Sequence, residues 1–292
     1  MKAQKWFLFS LLIFSSWVSA EMQMHQQLTK LFQKEPVPTE ETAYLNLLKK
    51  PVKGDYTYVT IPWVVLLNHK KMHLVKVEKV TNGFTVCQHI HFRHIIPILK
   101  EMGVSVLFTP HAVERNIAGI DIVPFPHVAN NGAPPAKVKD IWFSFIGRQT
   151  HPCRGAIFRL PRMANVVIQK VSSPFNNKIF KDILSRSRFS LCPRGTGPSS
   201  IRFWESLQAG AIPVLIADAM TLPSNFDWER CVINVPESKI ATIPSVLKKI
   251  SKKQEIEMRS ACLEAYQLFS EENFTSIIHH YFDQMELQRN EA

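Results

Sequence analysis

The feature that most constrains this chain is a pair of apolar segments separated by one amphipathic stretch. Residues 189–192 and 211–217 are short and almost uninterrupted apolar runs. Such runs are typical of parallel strands that are covered on both faces of a sheet. Helical periodicity over residues 199–209 places a helix between them. The pattern therefore predicts one βαβ unit and an α/β fold.

Within this helix the sequence predicts two different faces. Ile201, Trp204 and Leu207 recur at helical spacing and are predicted to face the sheet. The more open face is predicted to carry Arg202, Glu205 and Ser206. The polar face then lies near the turn that precedes the helix.

The turn between the first strand and the helix has the composition of an anion-binding site. A helix N-terminus offers free N–H groups and the positive end of the helix dipole. Gly195 and Gly197 allow close backbone approach and a positive φ. The hydroxyls can cap the helix or donate to phosphate, and the guanidinium groups can donate in pairs to a diphosphate. These side chains belong to Ser199, Ser200, Arg194 and Arg202.

A purely structural interpretation of the same turn remains open. The helix can be an ordinary capped helix with surface arginines, in which Glu205 pairs with Arg202 or Arg194. The spacing matches neither the Walker loop nor the dinucleotide-binding fingerprint. The residue pattern alone therefore does not choose between a binding site and a capped helix.

Residues 190–218 closely resemble, without gaps, the carboxyl-terminal signature of the exostosin-like glycosyltransferases. A looser similarity extends from residue 141 to about residue 282. The resemblance implies a GT-B-like α/β fold, with two doubly wound Rossmann-like domains facing a cleft and a small N-terminal domain. It also implies an inverting reaction that needs no metal-binding Asp-x-Asp motif and no other cofactor.

The resemblance also assigns roles around the turn. It implies that Arg194, Gly195, Ser199 and Ser200 hold the donor diphosphate and that Arg202 supports them. Glu205 is implied to accept the ribose hydroxyls. These residues predict a nucleoside-diphosphate sugar as the donor.

The remaining pattern divides the chain into three parts. Residues 1–20 are expected to be a signal peptide or a short signal anchor, because two lysines precede an apolar stretch and small residues follow it. Residues 21–135 are expected to form an acceptor-side α/β domain, with strands near residues 83–87, 104–109 and 120–123 and a helix over 89–102. The turn-rich stretch before residue 136 is the expected linker to the nucleotide-sugar-binding domain, 136–292.

Ligands of open α/β sheets bind beyond the carboxyl ends of the strands, so we expect the active site in a cleft between the two domains. Residues 141–147 are predicted to be the first strand of the second domain. Gly147, at its end, would let a nucleotide or diphosphate approach. Arg148 or Arg154 would neutralise the diphosphate, and Arg154 is favoured because it would open the next helix.

An inverting transfer also needs a general base. His111 and Glu114 follow the strand predicted at residues 104–109, and either is a candidate for that base. A structural or acceptor-binding role for each is the competing interpretation. His89 and His91 are expected to lie on different faces of a helix, which argues against a metal site there.

The net charge of +11 favours an acidic ligand surface. The basic residues are dispersed and form no nucleic-acid-binding motif, so nucleic acid is not an expected partner. The amino-terminal segment predicts export to the secretory pathway or another extracytoplasmic space, with the Golgi lumen and membrane association both compatible.

Together these features predict a glycosyltransferase that transfers a sugar to a glycan or other hydroxyl acceptor. The principal alternative is a non-catalytic exostosin-like subunit that binds a glycan or nucleotide-sugar.

Overall fold

A computed structural model describes residues 38–130, 132–172 and 177–291. The expected signal segment, residues 1–20, lies outside the described residues. In the part of the chain that is described, no helix combines the length and apolar character needed to cross a membrane. The described strands form two five-stranded sheets.

The first sheet is built from the earlier part of the chain. Its strands are β1 (Thr57–Tyr58), β2 (Gly83–Val86), β3 (Val104–Thr109), β4 (Asn116–Ile117) and β5 (Ile120–Pro124). The spatial order is β1-β2-β3-β5-β4. All pairs are parallel except β4 with β5, which forms a short antiparallel edge.

The second sheet is parallel throughout. Its strands are β6 (Ile141–Gly147), β7 (Val166–Lys170), β8 (Ser187–Pro193), β9 (Ile212–Ile216) and β10 (Ile233–Asn234). The order is β10-β9-β8-β6-β7. Every residue of β9 is buried, as expected for a parallel strand covered on both faces. The predicted strands on either side of the turn are therefore confirmed.

Helices cover both sheets. They are α1 (Pro38–Lys49), α2 (Trp63–Asn68), α3 (Ile96–Met102), α4 (Pro152–Phe158), α5 (Asn177–Arg186), α6 (Ile201–Gln208), α7 (Ile243–Lys248), α8 (Lys252–Leu268) and α9 (Ser276–Glu291). Short 3₁₀ turns occur at Met72–Leu74, Phe92–Ile95, Trp228–Arg230 and Glu237–Thr242.

The last helix returns to the first sheet. The Phe282 ring on α9 lies 4.9 Å from the ring of Phe84 and 6.1 Å from that of Phe108. The Tyr281 hydroxyl donates a 2.8 Å hydrogen bond to Asp121. The C-terminal part of the chain thus contributes to the core of the first sheet as well as to its own.

Several elements differ from the prediction. The helix expected over 89–102 is shorter, because a 3₁₀ turn occupies Phe92–Ile95 and α3 begins only at Ile96. β7 and α5 were not predicted. β7 is an edge strand whose side chains are half-buried or exposed, and its apolar run, residues 166–168, is too short to indicate a strand by itself.

The helix α6 is also buried more extensively than its pattern predicts. Trp204 and Leu207 are buried as expected, but Glu205 and Ser206 are buried too, and Ile201 is 43% exposed. The expectation that Ile201 faces the sheet is therefore wrong, as is the open face expected for Glu205 and Ser206. Periodicity finds a helix but does not show how many neighbours cover it.

Candidate functional site

A cleft of about 910 Å³ lies between the carboxyl edges of the two sheets. The second sheet contributes most of the predicted donor residues to it. The cleft residues used below are Thr39, Gln88, Ile90, His111, His127, Gly147, Arg148, Arg154, Gly195, Gly197, Ser199, Ser200, Arg202 and Glu205. Arg194 and Glu114 are not among its lining residues.

The turn after β8 leaves several polar groups without protein partners. Ser200 is the N-cap residue of α6, but its hydroxyl makes no capping hydrogen bond. The Ser199 hydroxyl and Nε of Arg194 are enclosed and have no hydrogen-bond partner among the described residues. Leaving such groups unpaired costs about 1–3 kcal/mol each. Their arrangement at a helix N-terminus suits an anionic ligand.

The two glycines of this turn do not use the positive φ that the sequence led us to expect. Neither Gly195 nor Gly197 is among the glycines with positive φ. Gly197 instead permits close approach: a Cβ there would lie 2.8 Å from Cγ2 of Ile90 and 2.9 Å from Nδ1 of His111. The missing side chain therefore lets this turn, residues 194–200 and called the donor turn below, contact the loops that follow β2 and β3.

Arg154 lies in the first turn of α4, where the sequence predicted it. Its Nε donates to the carbonyl of Arg194 at 2.8 Å, and its two terminal nitrogens donate to the carbonyls of Arg148 and Pro193. Burial lowers the pKa of Arg154 to about 10, which still leaves it charged at neutral pH. Arg154 thus links the loop after β6 to the donor turn.

Arg148 also lines the cleft, and its side chain is exposed. It makes no side-chain hydrogen bond or ion pair with any described residue. Arg148 and Arg154 are the two cations that the sequence offers for neutralising the diphosphate. The Arg148 guanidinium has all its donors available for a ligand.

Arg202 is held between aromatic rings on the second sheet. Its guanidinium carbon lies 4.6 Å from the ring centre of Phe145 and 5.1 Å from that of Phe180. It also donates to the carbonyl of Ile146. Burial lowers the pKa of Arg202, and the nearby Glu205 carboxylate partly offsets this effect. Arg202 and the 4% exposed Glu205 therefore form a fixed polar wall of the cleft.

On the first sheet, the two candidate bases lie in different surroundings. His111 is 7% exposed and lines the cleft. Glu114 is exposed and forms a 3.0 Å ion pair with Arg93, outside the lining of the cleft. The Arg93 hydrogen bond is the main reason that the pKa of Glu114 is lowered. The cleft brings His111, but not Glu114, towards the donor residues.

A second imidazole, which the sequence analysis did not single out, lies beside His111. The rings of His111 and His127 are 5.4 Å apart at an interplanar angle of 68°. They meet because β3 and β5 are parallel neighbours and Thr109 pairs with Pro124, so both histidines follow the same sheet edge. The rule that ligands bind beyond carboxyl strand ends would have identified His127, three residues after β5.

One group of potential metal ligands occurs among the described residues: His151, Cys153 and Glu237. Nδ1 of His151 lies 3.2 Å from Sγ of Cys153 and 3.7 Å from Oε2 of Glu237. The same Nδ1 accepts the Cys153 N–H at the start of α4, and Oε1 of Glu237 accepts the Asp218 N–H. These contacts, and the nearby positive helix N-terminus and guanidinium groups, favour a structural brace over a cation site.

The expectation that His89 and His91 lie on a helix is wrong. His89 and His91 precede the 3₁₀ turn, and their rings lie 5.4 Å apart. The His91 N–H donates to Nδ1 of His89, whose Nε2 lies 3.0 Å from Oδ1 of Asn68. His89 therefore already has local partners on both ring nitrogens.

The Exostosin GT47 domain model matches residues 73–250, which is more than half of the chain. The chain belongs to this exostosin family. Its two sheets and the cleft between their carboxyl edges form the GT-B-like α/β architecture that the resemblance implied. The matched region contains the donor turn and both histidines of the cleft.

Curated relatives are similar over shorter stretches. Exostosin-1 homolog of Caenorhabditis elegans is 31% identical over 103 residues, covering 35% of this chain and 27% of that protein. Probable glucuronoxylan glucuronosyltransferase IRX7 of Arabidopsis thaliana is 27% identical over 166 residues, covering 53% of this chain and 37% of that protein. The matches thus span only 27% and 37% of the length of these two relatives.

Among solved structures, sucrose-phosphate synthase from Thermosynechococcus elongatus is similar with a TM-score of 0.45 and 10% sequence identity. The similarity covers 89% of this chain and 79% of that chain.

Proposed function

We propose that this protein is an inverting, metal-independent glycosyltransferase. It transfers a sugar from a nucleoside-diphosphate sugar to a hydroxyl group of a glycan or another acceptor. The observation that carries this proposal is the turn after β8, where Ser199 and Ser200 line the cleft, the Ser199 hydroxyl has no described protein partner and the Ser200 hydroxyl makes no capping hydrogen bond. A bound diphosphate would satisfy them.

The donor side of the cleft supports a direct displacement. The acceptor oxygen bonds to the anomeric carbon as the bond from that carbon to the diphosphate oxygen breaks, and the electron pair leaves with the diphosphate. Arg194, Ser199 and the first N–H groups of α6 stabilise the departing charge. Glu205 accepts the ribose hydroxyls, and Arg202 fixes the wall behind the diphosphate.

The proposal is tested with wild-type protein and a panel of uridine, guanosine and adenosine diphosphate sugars. Thermal shifts measured with EDTA present report metal-independent binding, because a ligand of the native state raises Tm. Sugar transfer to a panel of hydroxyl acceptors is then measured, and NMR of the product reports the anomeric configuration. Binding and transfer with inversion support the proposal; a need for a divalent cation or retention of configuration contradicts it.

The second candidate is a non-catalytic subunit that binds a nucleotide-sugar or glycan. It is favoured by the ion pair between Glu114 and Arg93, and by the enclosure of Nδ1 of His111. Glu114 lies outside the cleft lining, and Nδ1 of His111 is enclosed. Donor binding without hydrolysis or transfer, with acceptor present, would support this candidate over the enzyme.

The proposed place of action is the secretory pathway or another extracytoplasmic space, reached through residues 1–20. Fractionation of cells that express the full chain, followed by amino-terminal sequencing, distinguishes cleavage from membrane anchoring. Recovery of the uncleaved chain in the cytosol would contradict this assignment.

A further inference from the structure

Two buried imidazoles lie on the acceptor side of the cleft, but their nitrogens have different surroundings. His111 is enclosed against the donor turn: its Nδ1 is inaccessible and has no described hydrogen-bond partner. The position that a Cβ on Gly197 would occupy is only 2.9 Å from that nitrogen. An acceptor hydroxyl therefore has no space to approach Nδ1 in this arrangement.

The other side of the His111 ring faces the backbone of Gln88. A hydrogen bond to that backbone partly offsets the effect of burial on the pKa of His111. His111 thus lies between the backbone of Gln88 and the turn at Gly197, with its Nδ1 on the enclosed side.

His127 is less constrained. Its ring lines the cleft, and it makes no hydrogen bond with any residue in the described ranges. Among the described residues, the buried side-chain nitrogen and oxygen atoms that lack a hydrogen-bond partner include Nδ1 of His111 but no atom of His127. His127 lines both this cleft and a small cavity beside Trp204 and Phe269, so its ring lies between the two.

The backbone on either side of His127 is held in place. The Phe125 N–H donates to the carbonyl of Thr109 at 3.1 Å, and the Val128 N–H donates to Oγ1 of Thr39 at 3.4 Å. These contacts connect the His127 loop to β3 and to α1. A positioned imidazole whose nitrogens have no hydrogen-bond partner among the described residues has the lone pair that general base catalysis requires.

Resting on the proposed function, we propose that His127 is the general base of the transfer and that His111 is a positioning residue packed against it. A ring nitrogen of His127 takes the proton from the acceptor hydroxyl as the acceptor oxygen attacks the anomeric carbon. The bond to the diphosphate breaks with its electron pair, and the imidazolium then releases the proton to water.

Burial keeps this imidazole neutral, and it also makes the resting imidazole a weak proton acceptor, since a general base works best with a pKa near the working pH. It lowers the pKa of His127 to about 3, and the neighbouring His111 acts in the same direction. His127 therefore carries no proton at neutral pH and has a free lone pair. When the donor diphosphate is bound, its negative charge stabilises the imidazolium that forms.

The test compares His127→Gln with His111→Gln, two matched changes at neighbouring buried imidazoles. In His127→Gln we expect kcat to fall roughly 10²- to 10⁴-fold, with binding of the donor found in the panel changed less than about twofold. In His111→Gln we expect a smaller loss of kcat. Circular dichroism and Tm establish that both variants fold.

Chemical rescue separates a base from a packing residue. Added imidazole is expected to raise the transfer rate of His127→Ala at least tenfold. It is not expected to raise the transfer rate of His111→Ala. Retention of wild-type kcat by His127→Gln, rescue of His111→Ala alone, or rescue of neither variant would overturn the assignment. If wild-type protein transfers no sugar from any donor, the proposed function itself fails. If wild-type protein and His127→Gln are equally active, the proposed function stands and only the assignment of His127 as the base is rejected.

Discussion

The two sides of the cleft respond differently to the same physical effect. On the donor side, burial lowers the pKa of Arg154 only to about 10, so this cation keeps its charge at neutral pH. On the acceptor side, burial lowers the pKa of His111 to about 4 and that of His127 to about 3, so both imidazoles are neutral. Desolvation opposes charge in both cases, but only the histidines begin near neutral pH.

In the proposed reaction, this difference separates two chemical tasks within one cleft. A diphosphate is stabilised by cations and N–H donors, which the second sheet places around α6. An acceptor hydroxyl needs a proton acceptor with a free lone pair, which only a neutral imidazole or a carboxylate offers. The first sheet supplies neutral imidazoles by burying them beside each other.

The largest effect is expected for Arg194→Ala. Loss of the unpaired guanidinium should abolish transfer, lowering kcat/KM at least 100-fold, and should weaken nucleoside-diphosphate binding about tenfold or more. Tm should remain close to that of wild type. Arg162→Ala, at an exposed arginine outside the cleft lining, is the matched control. Normal turnover by Arg194→Ala would remove the donor role from this turn.

Gly197→Ala tests the contact between the two sides. The added methyl group overlaps Ile90 and His111, so we expect unfolding to become easier by about 1–3 kcal/mol and transfer to slow. Gly195→Ala is the control, because its Cβ would approach Arg154 no closer than 3.4 Å. Urea unfolding measures the free energy of unfolding of both variants. Equal stability of the two variants would show that the sheets do not depend on this contact.

The next comparison separates a ligand-binding arginine from a bracing one. Arg148→Ala should weaken binding of the nucleoside diphosphate about tenfold while leaving Tm nearly unchanged. Arg154→Ala should lower Tm, because its guanidinium donates to three backbone carbonyls. Calorimetry and thermal unfolding give the two readouts. A larger binding loss in Arg154→Ala, with Tm intact, would restore Arg154 as the direct ligand.

The smallest effect is expected in the pH dependence of stability. Between about pH 6.5 and pH 4 the unfolded chain protonates His111 and His127 while the native chain does not, so the free energy of unfolding falls as pH falls. Each histidine contributes at most about 1.4 kcal/mol per pH unit. The double variant His111→Gln/His127→Gln should show a shallower fall than wild type in urea titrations. Identical slopes would show that burial does not keep these rings neutral.

Much of the donor side could be predicted because it is continuous in sequence. The strand β8, the turn and α6 follow one another, and apolar runs with helical periodicity indicate each of them. The role of Gly197 could not be predicted in the same way. Its nearest neighbours, Ile90 and His111, lie in the loops that follow β2 and β3 of the other sheet, and no local pattern records a contact over that separation.

The acceptor side shows the opposite case. His111 is a candidate from sequence because it lies two residues beyond β3, whereas His127 lies three residues beyond β5, and only the pairing of these strands brings the two rings together. Glu114 lies close to His111 in sequence, yet it turns to Arg93 on the surface. Proximity along the chain therefore does not decide which side chains enter the cleft.

The sequence by itself determined the βαβ unit, the polar turn within it and membership of the exostosin family, because these depend on local periodicity and a contiguous motif. The tertiary structure alone decided which arginine braces the turn, which two imidazoles meet at the cleft and which of their nitrogens is enclosed. Those properties depend on distances between segments brought together by strand pairing and on burial, which is a property of all the surrounding chain.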